Sequence, residues 1–175
     1  MRSISLTFGL LGLFAPASNA QGRIWYADGE NSQDLFGSSL EILPDLDADG
    51  LPEVLIGAYG HMCGPSASPT DGAVYEFSES GAQLDEWYGT EELLGVALAR
   101  LGDVDQDGVD DFALGASAWR DPTKGPATGR VHVISAKAGA TLFIVQGNLP
   151  DMSFGAAVAG LPDYDGDGYP EMRFS

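Results

Sequence analysis

The stretch Asp103-Val104-Asp105-Gln106-Asp107-Gly108-Val109-Asp110-Asp111 sets three carboxylates at alternate positions, a glycine at the sixth and another acid at the ninth. The same order stands 58 residues earlier (45 to 103) as Asp45-Leu46-Asp47-Ala48-Asp49-Gly50-Leu51-Pro52-Glu53. It returns 60 residues later (103 to 163) as Asp163-Tyr164-Asp165-Gly166-Asp167-Gly168-Tyr169-Pro170-Glu171. Self-similarity at such a period marks an array of like units and outranks any local reading of secondary structure. The likeness also runs past the loops. Phe36-Gly37, Leu94-Gly95 and Phe154-Gly155 each begin nine positions before the first loop aspartate, and Gly57-Ala58 and Gly115-Ala116 each begin twelve after it. Gly72-Ala73-Val74-Tyr75-Glu76-Phe77 then matches Gly129-Arg130-Val131-His132-Val133-Ile134.

Between these landmarks each unit reads as strand, loop, strand, longer loop, strand, turn, strand. Val54-Leu55-Ile56 and Phe112-Ala113-Leu114 are short unbroken apolar runs ended by glycine, as expected of inner strands buried on both faces. Val131, Val133 and Ser135 alternate with His132, Ile134 and Ala136 in a mixed pattern. Ala138-Gly139 makes a turn into the β-branched and aromatic strand Thr141 to Val145. Met62 to Asp71 and Trp119 to Thr128, rich in Pro, Gly, Ser and Thr, read as loops. Four short strands per unit predict an all-β fold, a β-propeller of four-stranded antiparallel blades. The chain holds about two and a half of them: blade 1 over about 36–89, blade 2 over about 94–147 and a truncated blade 3 over 154–175. Residues 23–28 align with the outermost strand of a blade, since Gly29 stands seven residues before Phe36 as Gly147 does before Phe154. They are expected to be an outer strand that closes the ring. Propellers have about 4–8 blades, so further blades are expected beyond Ser175.

Charge narrows the function. Eight Lys+Arg against 26 Asp+Glu give −18, which excludes a basic footprint for nucleic acid or an anionic membrane. The hydrophobic fraction of 44% is enough for a core. Residues 1–20 read as a signal peptide: Arg2 supplies the positive start, Ile4 to Phe14 is largely apolar, and Ser18-Asn19-Ala20 is a small-residue cleavage site. That apolar stretch is too short for a spanning helix, which needs about 20 residues. Residues 21–175 are then the partial propeller, with no transmembrane segment expected. Cys63, alone, has no intrachain disulfide partner.

The loops point to a cation. Calcium takes 6–8 oxygen ligands in flexible geometry, and aspartates at positions 1, 3 and 5 converge around a turn that the sixth-position glycine permits. The candidate ligands are Asp45, Asp47, Asp49 and Glu53; Asp103, Asp105, Asp107 and Asp111; and Asp163, Asp165, Asp167 and Glu171. By analogy with calcium loops of this type, Leu51, Val109 and Tyr169 at position 7 offer backbone carbonyls. One Ca2+ is expected per complete loop. Magnesium demands stricter octahedral geometry and suits the set less well. The bland alternative is a solvated acidic turn. An EF-hand is excluded, because position 12 is Ile56, Leu114 or Phe174 where that motif needs Glu and a following helix.

These motifs closely resemble the FG-GAP repeats of integrin α-subunit propellers and related secreted proteins. Leu94 departs from the Phe of that pattern, and Tyr59 and Ser117 stand where it has Pro. The resemblance implies a seven-bladed propeller, calcium in loops on one face holding blades together, and partner binding elsewhere. The leading expectation is a secreted, calcium-stabilised binding or adhesion scaffold with an extracellular protein or carbohydrate partner. The alternatives are the propeller domain of a secreted enzyme, or a spacer for a C-terminal domain. No Gly-x-Ser-x-Gly, His-Glu-x-x-His or P-loop stands in the mature chain. His61 beside Cys63 is a weak candidate base, and Trp87, Tyr88 and Trp119 are read as strand-packing aromatics before sugar-stacking ones.

Overall fold

A computed structural model describes residues 25–62, 70–123, 126–149 and 152–175, and every regular element among them is a strand. The proposed signal segment and Cys63 lie outside these residues. The first sheet runs β1 (Ser39–Ile42), β2 (Val54–Ala58), β3 (Ala73–Phe77), β4 (Gln83–Tyr88) in spatial order. The second repeats it with β5 (Leu94–Gly102), β6 (Asp111–Ala116), β7 (Arg130–Ser135) and β8 (Ala140–Gln146). A third begins with β9 (Val158–Leu161) and β10 (Glu171–Phe174). All neighbours within a sheet are antiparallel. The result is two complete four-stranded blades and the first two strands of another, a segment of a β-propeller.

Burial follows from stacking blade on blade. Leu43, Leu55 and Val74 of the first blade share one cluster with Leu98, Phe112, Leu114 and Ile134 of the second. The other face of the second blade, Ala99, Ala113, Val131 and Val133, packs on Phe154, Val158, Met172 and Phe174 of the third. Every residue of β6 is therefore buried, its odd and even side chains entering different seams. Phe112, fully buried, meets Trp87 of β4 edge-on with ring centroids 5.2 Å apart. Burying a side chain of that size is worth about 1.5–3 kcal/mol.

The repeated glycines form the seams themselves. Gly72 bridges Leu94 and Gly129 bridges Phe154 in parallel, each tying one blade to the start of the next. A Cβ on Gly57 would fall inside 3.0 Å of the Gly95 carbonyl oxygen, and one on Gly115 would do so at Gly155. The Ser39 hydroxyl donates across the first seam to Gly95 O at 2.7 Å.

Residues 25–28 hold no regular strand, yet they alternate between half-buried Trp25 and Ala27 and exposed Tyr26 and Asp28. Trp25 stacks on Phe77 at 5.6 Å, on the outer face of blade 1. A Cβ at Gly29 would lie 2.8 Å from Phe36 Cβ, the separation found for Gly89 and Leu94 and for Gly147 and Phe154.

Candidate metal centre

Each acidic loop spans the first two strands of its blade, and its own backbone orders its carboxylates. Position 1 accepts twice: Asp45 from Asp49 N at 3.1 Å and Gly50 N at 2.9 Å, and Asp103 from Asp107 N and Gly108 N, both at 2.9 Å. Asp163 does the same with Gly166 N at 2.6 Å and Gly168 N at 2.9 Å. At position 3, Asp47, Asp105 and Asp165 each accept from the amide two residues on at 3.1 Å. At position 5, Asp49, Asp107 and Asp167 accept from residues 51, 109 and 169 at 2.9–3.0 Å. Such local carboxylate-to-amide bonds are Asx turns, which asparagine and aspartate make readily.

The turn needs left-handed backbone at positions 4 and 6. Ala48 and Gln106 have φ of 64° and 62°, and Gly166 takes that place in the third loop at 81°. Gly50, Gly108 and Gly168 follow with φ of 91–93°.

Position 9 anchors the loop from the far side, since residue 9 opens or immediately precedes the second strand. Glu53 accepts from Leu46 N at 2.7 Å, Asp111 from Val104 N at 2.8 Å and Glu171 from Tyr164 N at 2.7 Å. Glu53 and Asp111 are wholly buried. Burial pushes both carboxyls above their usual range, opposed by the bonds from Leu46 and Val104. Glu53 Oε1 is left buried with no partner. A buried acceptor of this kind calls for a donor or a cation.

The three loops are not equally gathered. Asp45, Asp47, Asp49 and Glu53 each bring a carboxylate oxygen within 4.8 Å of the others. The second loop brings together Asp103, Asp105 and Asp111, with Asp107 outside that group, and the third Asp163, Asp165 and Asp167, with Glu171 outside. Two like charges at this separation repel by roughly 1–3 kcal/mol at effective dielectric constants of about 80 to 20. Beside the first loop, Glu76 of β3 pairs in register with Asp85 of β4. Burial first, and then Asp85, push the Glu76 carboxyl up to about 7. Reading the loops alone missed Glu76, whose repeat counterpart is Val133.

The connections from β2 to β3 and from β4 to β5 lie at the other end of the blades. Glu92, 1% exposed, accepts from Arg130 Nε and lies 3.3 Å from His132 Nε2, while the Arg130 guanidinium sits 4.9 Å over the Trp119 ring. Burial alone raises the Glu92 carboxyl, but the bonds from His132 and Arg130 hold it below the usual carboxylate range. His61 is buried, with Nδ1 3.3 Å from Tyr75 Oη and 3.7 Å from Asp34. Trp87 and Trp119 are half-buried, whereas Tyr88 is 45% exposed beside the His61 ring.

Comparison with known proteins agrees with this architecture. The FG-GAP repeat family matches residues 36–77 and 95–134, one repeat in each complete blade. Integrin alpha-3 of Cricetulus griseus is 32% identical over 152 residues, covering 78% of this chain and 14% of that protein. Integrin alpha-PS2 of Drosophila melanogaster is 31% identical over 171 residues, covering 85% and 12%, and human integrin alpha-7 is 31% identical over 154, covering 82% and 12%. The chain thus spans about one-eighth of the length of these relatives. Its repeats and its likeness across more than three quarters of its length make it an FG-GAP repeat protein, similar to integrin α chains.

Proposed function

We propose that this chain is part of a secreted, calcium-binding β-propeller that acts as an extracellular binding or adhesion scaffold, its loops stabilising the blades. The observation that carries the calcium reading is the first loop, where four carboxylates converge and the buried Glu53 keeps one oxygen, Oε1, without a partner. The donor set is all oxygen, which suits a hard cation. The loop's residues bind and orient the ion, and the strands they join transmit its hold to the blade. Export through residues 1–20 fits this assignment, as does the extracellular calcium that weak sites of this type require. The segment 23–28, of which residues 23 and 24 lie outside the described residues, completes the last blade and closes the ring, a role supported by the repeated placing of Gly29, Gly89 and Gly147 against the start of the following unit. The partner is an extracellular protein or carbohydrate. It docks at the end away from the acidic loops, where Glu91 and Arg120 line one cavity.

Calcium titration of thermal unfolding tests the reading. Extracellular calcium modules have dissociation constants of about 10⁻⁴–10⁻³ M. Calcium at about twenty times Kd stabilises by about 1.8 kcal/mol per site, a rise of roughly 4–7 °C. An unfolding curve identical in chelator and in millimolar calcium refutes it.

A further inference from the structure

Between the two complete blades, at the end of the acidic loops, lies a cavity of about 280 Å³. Blade 1 lines it with Leu46, Asp47, Glu76 of β3, and Leu84 and Asp85 of β4, and blade 2 with residues 136–139, the turn from β7 to β8. That turn is pinned to blade 1 by Trp87, whose indole N–H donates to Gly139 O at 3.3 Å. It lies this close because residue 139 is glycine, since a Cβ there would stand 2.8 Å from Asp85 Oδ2. Glu76 is only 7% exposed and opens into the cavity, and among the described residues no donor bonds its carboxylate. Asp85 stands directly opposite it in the ladder. Like charges so placed weaken a strand pair.

The repeat itself does not require these acids. Val133 and Phe143 hold the same two places in blade 2, in the same register. A buried carboxylate with no donor, facing a second carboxylate across a cavity, needs a cation to offset it. A bare metal ion does not suit the place: Glu76 and Asp85 stand outside the carboxylates gathered at the first loop, and the cavity is far larger than one ion. Leu46 and Leu84 give it apolar walls instead. Lys137 also borders it, but its ammonium is engaged by Asp107, donating to the carbonyl oxygen at 2.9 Å. We propose that this cavity binds an organic cation, an alkylammonium or guanidinium group whose charged end meets Glu76 and Asp85 and whose stem lies along Leu46 and Leu84.

The test is a titration of the full chain with n-pentylamine hydrochloride, followed by NMR at the indole N–H of Trp87. It is run in millimolar calcium at pH 8, above the Glu76 value of about 7. A saturable shift is expected, with none from n-pentanol. Glu76→Gln should weaken binding about tenfold with circular dichroism unchanged. Asp85→Asn, on an exposed strand, should weaken it about threefold. Nα-acetyl-lysine methylamide separates two sources of the cation: binding as tight as that of pentylamine marks a basic side chain of a partner, and weaker binding a free amine. An equal shift from pentanol, wild-type affinity in both variants, or a pentylamine shift seen only in chelator overturns the inference. None of these results touches the calcium titration of unfolding, so the two readings fail separately.

Discussion

Replacing Gly57 with alanine probes the joint between the two complete blades. The new Cβ would lie inside 3.0 Å of both Ser39 Oγ and Gly95 O, and 3.2 Å from the Gly95 carbonyl carbon. The hydroxyl can rotate away, at the loss of its 2.7 Å bond to Gly95 O. The carbonyl belongs to the backbone of the neighbouring blade and must carry that blade with it. Overpacking of this kind costs about 1–3 kcal/mol, and the lost hydrogen bond adds about 0.5–1.5 kcal/mol. Against this, alanine reduces the freedom of the unfolded chain, a gain of about 0.4–1 kcal/mol. The net expectation is a loss of about 2 kcal/mol, read as a lower urea midpoint at constant slope and a melting temperature lower by roughly 4–8 °C. Ser39→Ala alone should cost about 1 kcal/mol. Gly57→Ala/Ser39→Ala should cost less than the sum by about 1 kcal/mol, since the bond is lost once and the hydroxyl no longer obstructs. A Gly57→Ala protein as stable as wild type, or strict additivity in the double variant at fixed calcium, would refute the account of the seam.

Ala48 holds the left-handed place that Gly166 fills in the third loop. Ala48→Gly should therefore raise stability by about 0.5–1 kcal/mol in chelator, measured by urea unfolding. Glu92→Gln addresses pH. Glu92 has a depressed carboxyl in the folded chain, so its contribution is present above its unfolded value of about 4.5 and is lost as pH falls through the lower folded value. The variant should lose about 2–3 kcal/mol at pH 7. Its melting temperature should also fall less steeply than that of wild type between about pH 5 and pH 3, and parallel curves would contradict the assignment.

Much of the fold was legible because its periodic residues answer to geometry. The apolar runs Val54-Leu55-Ile56 and Phe112-Ala113-Leu114 are strands buried on both faces, as their lack of alternation required. The mixed pattern at Val131, Val133 and Ile134 is ordinary alternation between two apolar seams, Val131 and Val133 entering one and Ile134 the other. The loop aspartates were equally plain, since each is placed by amides within five residues of itself. What could not be read there depends on chain brought in from elsewhere. Lys137 and Glu76 reach the loops through the strand-three turn and strand three, and no local spacing marks them. Nor did the motif glycines disclose why they are glycines, because the atom that forbids a side chain at Gly57 or Gly115 lies on the next blade.

That last feature bears on how such rings change size. Both halves of each joint, the glycine that receives and the carbonyl that is received, are carried within a single repeat. A tandem duplication of one unit therefore brings a matching socket and plug at its two ends, and a deletion leaves the remaining ends still complementary. The number of blades in a lineage is then free to drift by whole repeats, with no new interface to be invented at each step.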